Sequence, residues 1–86
     1  MTKEKHREKD AALTALGQQI RKVRQDRKIS QEDFAAKAGL DRSYYGGVER
    51  GEHNIAALNL IRIAAALEVE VGELFPKVRV LEGLLD

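Results

Sequence analysis

SQEDFAAKAGLDRSYYGGVERG, Ser30 to Gly51, reads as two short helices around one tight turn. The Ser30 hydroxyl can cap a helix that starts at Gln31, and Asp33, three residues on, partly stands in for the Glu of a capping box. Phe34, Ala35 and Ala38 recur at helical spacing with Glu32, Asp33 and Lys37 off that face, which predicts a short amphipathic helix. Gly39 ends it, because Gly alone takes the left-handed conformation after a helix without a steric penalty, and Leu40 supplies the closing apolar contact. Asp41 caps a second helix from about Arg42 to Arg50, exposing Arg42, Ser43 and Tyr44 at its start and turning Tyr45 and Val48 inward. Gly51 stops it.

Two helices joined by a short Gly-containing turn make a helix-turn-helix unit, whose second helix enters the major groove of DNA. The segment resembles the lambda-repressor-like helix-turn-helix family and, within it, the small controller proteins of restriction-modification systems. The resemblance runs from about Leu16 to Phe75 and includes IRKVRQDRKISQE, LDRSYYGGVERG and LIRIAAALEVEVGELF. It implies an all-α, five-helix lambda-repressor-like DNA-binding domain with a short C-terminal helical extension, acting as a homodimer on double-stranded DNA.

At 86 residues the chain supports one domain, since a chain this size buries only about 60–65% of its unfolded surface. Hydrophobic content of 43% with two Phe, two Tyr and no Trp points to a core of Leu, Ile, Val and Ala, suited to closely packed helices. The absence of Cys removes disulfides, thiolate nucleophiles and Cys-based zinc sites, and no apolar run approaches the roughly 18 residues that cross a bilayer. A cytoplasmic protein is expected. The net charge is only +1, but residues 1–54 carry 12 basic and 9 acidic groups, whereas 55–86 carry 3 and 5. RKVRQDRK, Arg21 to Lys28, holds five basic groups against one Asp, a footprint suited to phosphates.

Outside the motif, Leu13, Leu16, Ile20 and Val23 make one stripe of a helix from about Asp10 to Arg27, with Asp10 as N-cap and Arg21, Lys22 and Lys28 outward. Gly17 inside it costs about 1 kcal/mol relative to Ala and is expected to mark a close approach by a neighbouring helix. Arg24 falls on the buried stripe and so requires a carboxylate. The resemblance supplies Glu49, predicting a partly buried Arg24–Glu49 ion pair. Ala57 to Leu67 is apolar on most sides, which predicts burial on most sides and a partner subunit for part of the helix. Its start, Ala56, lacks a capping side chain. A last short helix is expected from Val71 to Phe75, ended by Pro76. In the tail, Val78, Leu81, Leu84 and Leu85 form an apolar face that must pack on its own domain or on a second subunit.

These readings divide the chain into a charged N-terminal arm at 1–10, a helix-turn-helix domain at 11–76 around the unit 30–51, and a C-terminal extension at 77–86 that assists dimerisation. Leu60, Ile61, Phe75 and Leu81 are the expected dimer interface. Catalytic triads, metal-ligand spacings and phosphate loops are missing from the sequence, so neither an enzyme nor a cofactor is expected. Arg42 and Ser43 are placed to read base edges, Arg on guanine being the commonest specific contact. Gln31, at a helix N-terminus, suits a phosphate, and Tyr44 suits a phosphate or a thymine methyl. The resemblance adds Arg50, His53 and Asn54 as backbone contacts. Adjacent Gly46 and Gly47 cost up to about 2 kcal/mol in helix propensity and either permit close approach to DNA or surrender a contact. A regulator of its own operon, controller-like or prophage-type, fits best. The alternative is an antitoxin-type module that grips a partner protein through the apolar C-terminal region.

Overall fold

The computed structural model describes residues 10–85. The charged arm expected at 1–10 therefore lies outside the described residues except for Asp10. In order, the elements are α1 (Ala11–Asp26), α2 (Gln31–Ala38), α3 (Arg42–Glu49), α4 (Ala57–Leu67), a 3-10 turn (Val71–Leu74) and α5 (Val78–Glu82). No strand occurs among the described residues.

The caps fall where the side chains required them. Asp10 accepts from the backbone N–H of Ala12 at 2.8 Å and of Leu13 at 3.1 Å, Ser30 from Asp33 at 3.0 Å, and Asp41 from Tyr44 at 3.1 Å. Gly39 ends α2 at φ 73°, with its N–H on Ala36 O and that of Leu40 on Ala35 O. Around the α2–α3 corner the core is Leu16 and Ile20 of α1, Phe34, Ala35 and Ala38 of α2, Tyr45 and Val48 of α3, Ile63, Ala64 and Leu67 of α4, and Leu74. Phe34 and Tyr45 meet with ring centroids 5.0 Å apart. Each such side chain contributes about 1.5–3 kcal/mol through burial, so the pair fixes the angle between the two motif helices.

Two glycines set how closely α1 lies on α3. A Cβ on Gly17 would run into the carbonyl oxygens of Val48 and Glu49, so α1 rests directly on the last turn of α3. Gly51 takes φ +81°, and a Cβ there would lie 2.6 Å from Thr14 Cα.

The expected last helix at Val71–Phe75 is a 3-10 turn instead, closed by the Glu70 N–H donating to the Glu73 carboxylate at 2.9 Å. Phe75, before Pro76, is extended at φ −102°, ψ 139°, as the proline ring demands, which leaves too few residues for an α-helical turn. In α4, Ile63, Ala64 and Leu67 are buried, but Leu58 is 57% and Ile61 54% exposed. Within this chain the helix is thus buried on one side only, not on most sides as its composition predicts, and Leu58 and Ile61 stay uncovered. α5 buries no residue completely: Leu81 is half-buried and Val78 faces solvent, and just beyond the helix Leu84 is half-buried and Leu85 exposed.

No sequence signal announced that α4 would end on Glu68, which takes φ 61° while its N–H bonds Ala65 O. The left-handed conformation costs a side-chain-bearing residue about 1 kcal/mol. Glu68→Gly should therefore raise the thermal midpoint by a few degrees, as checked by a circular-dichroism melt.

Candidate nucleic-acid interface

α3 is fastened from below by a buried charge pair. Arg24 Nε donates to Glu49 Oε2 at 2.6 Å and Nη2 to Oε1 at 3.0 Å, while Nη1 donates to the Ile29 carbonyl at 2.7 Å. The two side chains are only 8% and 2% exposed. Gln31 completes the set, donating through Nε2 to Glu49 Oε1 at 2.9 Å. The first turn of α2, the end of α3 and the end of α1 thus meet at one carboxylate.

Burial pulls the Glu49 carboxyl upward, but its polar contacts with Arg24, Tyr45 and Gln31 and the Arg24 charge outweigh it and hold the group below its ordinary range. Its hydrogen bond to Glu49 raises the Arg24 guanidinium against the opposing cost of burial. Burial, with the carboxylate beside it, pushes Tyr45 far above the ordinary phenol range. The Tyr45 hydroxyl is enclosed beside the ion pair, where its interaction with the Glu49 carboxylate favours the neutral phenol.

The opposite face of α3 looks outward. Arg42 and Ser43 are exposed on the first turn. Gly46 and Gly47 follow one turn later, both buried under neighbouring side chains, and Arg50 caps the end. At Gly46 an added Cβ would lie 3.2 Å from Arg50 Nη1 and 3.2 Å from Gln31 Oε1, so these two side chains cover the bare backbone. Arg50 is exposed and paired with Glu52 at 2.8 and 3.2 Å. Asn54 is exposed in the following loop.

Tyr44 is half-buried where the sequence suggested exposure. Its ring stacks on His53 with centroids 4.7 Å apart, and its hydroxyl accepts from Asn59 Nδ2 at 3.2 Å. Sequence reasoning missed Asn59; it is one of only two polar side chains in α4, Arg62 being the other, and that was the available signal. It also missed that the Gln31 amide is committed to Glu49.

The basic segment Arg21–Lys28 offers less free charge than its composition suggests. Arg24 is internal, Arg27 donates through Nε to the Leu67 carbonyl at 2.7 Å, and Lys22 pairs with Asp26 at 3.5 Å. Among the described residues no group of His, Asp and Glu is placed to hold a metal ion, and no helix is long and apolar enough to cross a membrane. Leu60, Phe75 and Leu81 are half-buried and Ile61 is exposed, so each presents apolar surface.

Residues 20–74 match the helix-turn-helix family. The chain is 41% identical over 61 residues to the control protein C.MunI of a Mycoplasma species, covering 70% of this chain and 82% of that protein. Its fold is similar to the crystal structure of the restriction-modification controller protein C.AhdI from Aeromonas hydrophila, with a TM-score of 0.74 and 48% identity over 76% of this chain and 98% of the other. It is also similar to SinR, a master regulator for biofilm formation solved in complex with DNA, with a TM-score of 0.66 and 33% identity over 69% of this chain and 95% of that one. With the capped pair α2 and α3 inside the matched residues, and the match spanning more than half its length, this chain belongs to the helix-turn-helix family.

Proposed function

We propose that the protein is a sequence-specific regulator of transcription that binds a pseudo-palindromic operator in double-stranded DNA as a homodimer and controls its own expression. The observation that carries this reading is the position of Arg42 and Ser43, exposed on the first turn of a helix that is locked to the domain by the Arg24–Glu49 pair. A rigidly seated helix presenting an Arg at its start suits guanine readout in the major groove. Gln31, Tyr44, Gly46, Arg50 and Asn54 would add the remaining contacts, and of these Arg50 would exchange Glu52 for a phosphate.

The apolar surface left on α4 by Leu58 and Ile61 supports a second copy as partner, with α5 adding to the contact. Two domains so joined would place two α3 helices on half-sites about 34 Å apart. Concentration-dependent dimerisation would set operator occupancy without a cofactor or small-molecule effector. The likeness to control proteins supports a controller role in the cytoplasm.

Fluorescence anisotropy with a labelled palindromic duplex tests the reading. Affinity should fall by about a thousandfold between 50 and 200 mM salt if roughly six phosphates are contacted. Arg42→Ala should cost about 1–3 kcal/mol, confined to one base position in each half-site. A salt-independent affinity that Arg42→Ala leaves unchanged would refute it.

A further inference from the structure

The missing side chain at the middle of α3 has a substitute. Ser43 and Gly47 are one turn apart on α3, Ser43 exposed and Gly47 covered by neighbouring side chains, so a side chain at 47 would extend the surface begun by Arg42 and Ser43. A Cβ on Gly47 would lie 2.5 Å from His53 Nε2 and 2.7 Å from its Cδ2. The imidazole of the loop after α3 therefore occupies the space that glycine vacates. It is not a casual surface group there, because its ring is stacked on Tyr44 at 4.7 Å and Tyr44 is held in turn by Asn59.

From this we infer that His53 is a specificity-determining residue, reading a base edge from the place a position-47 side chain would hold. The inference rests on the DNA-binding reading above and assigns one more contact within it. An imidazole carries one donor and one acceptor nitrogen in its neutral form, enough to discriminate among the donor and acceptor patterns of the major groove. Glycine at 47 is then a requirement of the arrangement, since any larger residue displaces the ring. The Tyr44 platform limits the ring's freedom, which a base contact needs and a phosphate contact does not.

The test is a binding scan over duplexes carrying every single-base substitution in one half-site, at fixed pH, for the full chain and two variants. His53→Ala should flatten the preference at one base pair by about tenfold, leaving the Arg42-dependent position and the salt slope as they were. Gly47→Ala, which keeps the imidazole but displaces it, should flatten the same base pair while retaining or raising thermal stability. If His53→Ala weakens all duplexes evenly and lowers the salt slope by about one, His53 is a phosphate contact and the assignment is overturned. A profile unchanged in both variants overturns it as well. If the unmodified protein prefers no duplex, the DNA-binding reading itself fails, which is a distinguishable result.

Discussion

Glu49→Ala is expected to destabilise the domain by about 3–5 kcal/mol, because it strands the Arg24 guanidinium in a site where only 8% of that side chain reaches solvent. For a domain of this size that is a fall of 10 °C or more in the thermal midpoint. Replacing both partners by apolar residues of similar volume should cost much less, since the buried charge is then removed rather than orphaned. The pH dependence carries the same signature. The Glu49 carboxyl lies below its ordinary value of 4.5 when folded, so the folded state binds fewer protons than the unfolded one. Its stabilisation is fully present above about pH 4.5 and is lost as pH falls through the lower, folded value. Urea melts across that acid window should show a slope in the parent protein that Glu49→Gln lacks. An unchanged midpoint in Glu49→Ala would rule out the fastening role of the pair.

Gly17→Ala should destabilise by about 1–3 kcal/mol, although helix propensity alone favours Ala by about 1 kcal/mol. The added methyl meets the backbone carbonyls of Val48 and Glu49, which cannot swing aside as a side-chain tip could. α1 must lift from the end of α3, loosening the seat of the Arg24–Glu49 pair with it. A chemical-denaturation midpoint equal to or above that of the parent would contradict the close approach. The sign of this effect, opposite to propensity, makes it diagnostic.

The motif and its caps were legible in the sequence because Ser30, Gly39, Asp41 and Gly51 each perform a local task that their chemistry dictates. Arg24 was legible through periodicity, which placed a charge on a buried stripe, while the identity of its partner came from the family resemblance. The Gly17 approach was legible as a propensity cost without a local reason. Long-range tethers were not. Nothing in the spacing of Tyr44, His53 and Asn59 shows that they meet, since that depends on how the loop folds back over α3. Glu68 could not be foreseen as a left-handed residue because glutamate has no preference for that conformation. Val71–Leu74 shows a further limit: apolar spacing fits a helix, but Phe75 before Pro76 leaves room only for a tighter turn.

The outward face of α3 as a reader of DNA is tested most directly by selection from a random-sequence pool of duplexes, with bound molecules sequenced after several rounds at moderate salt. The expected result is one inverted pair of half-sites with centres about 34 Å apart, from which Arg42→Ala removes the preference at a single symmetric position. Recovery of no common sequence, or of the same sequences with equal strength by the Arg42→Ala variant, would contradict it.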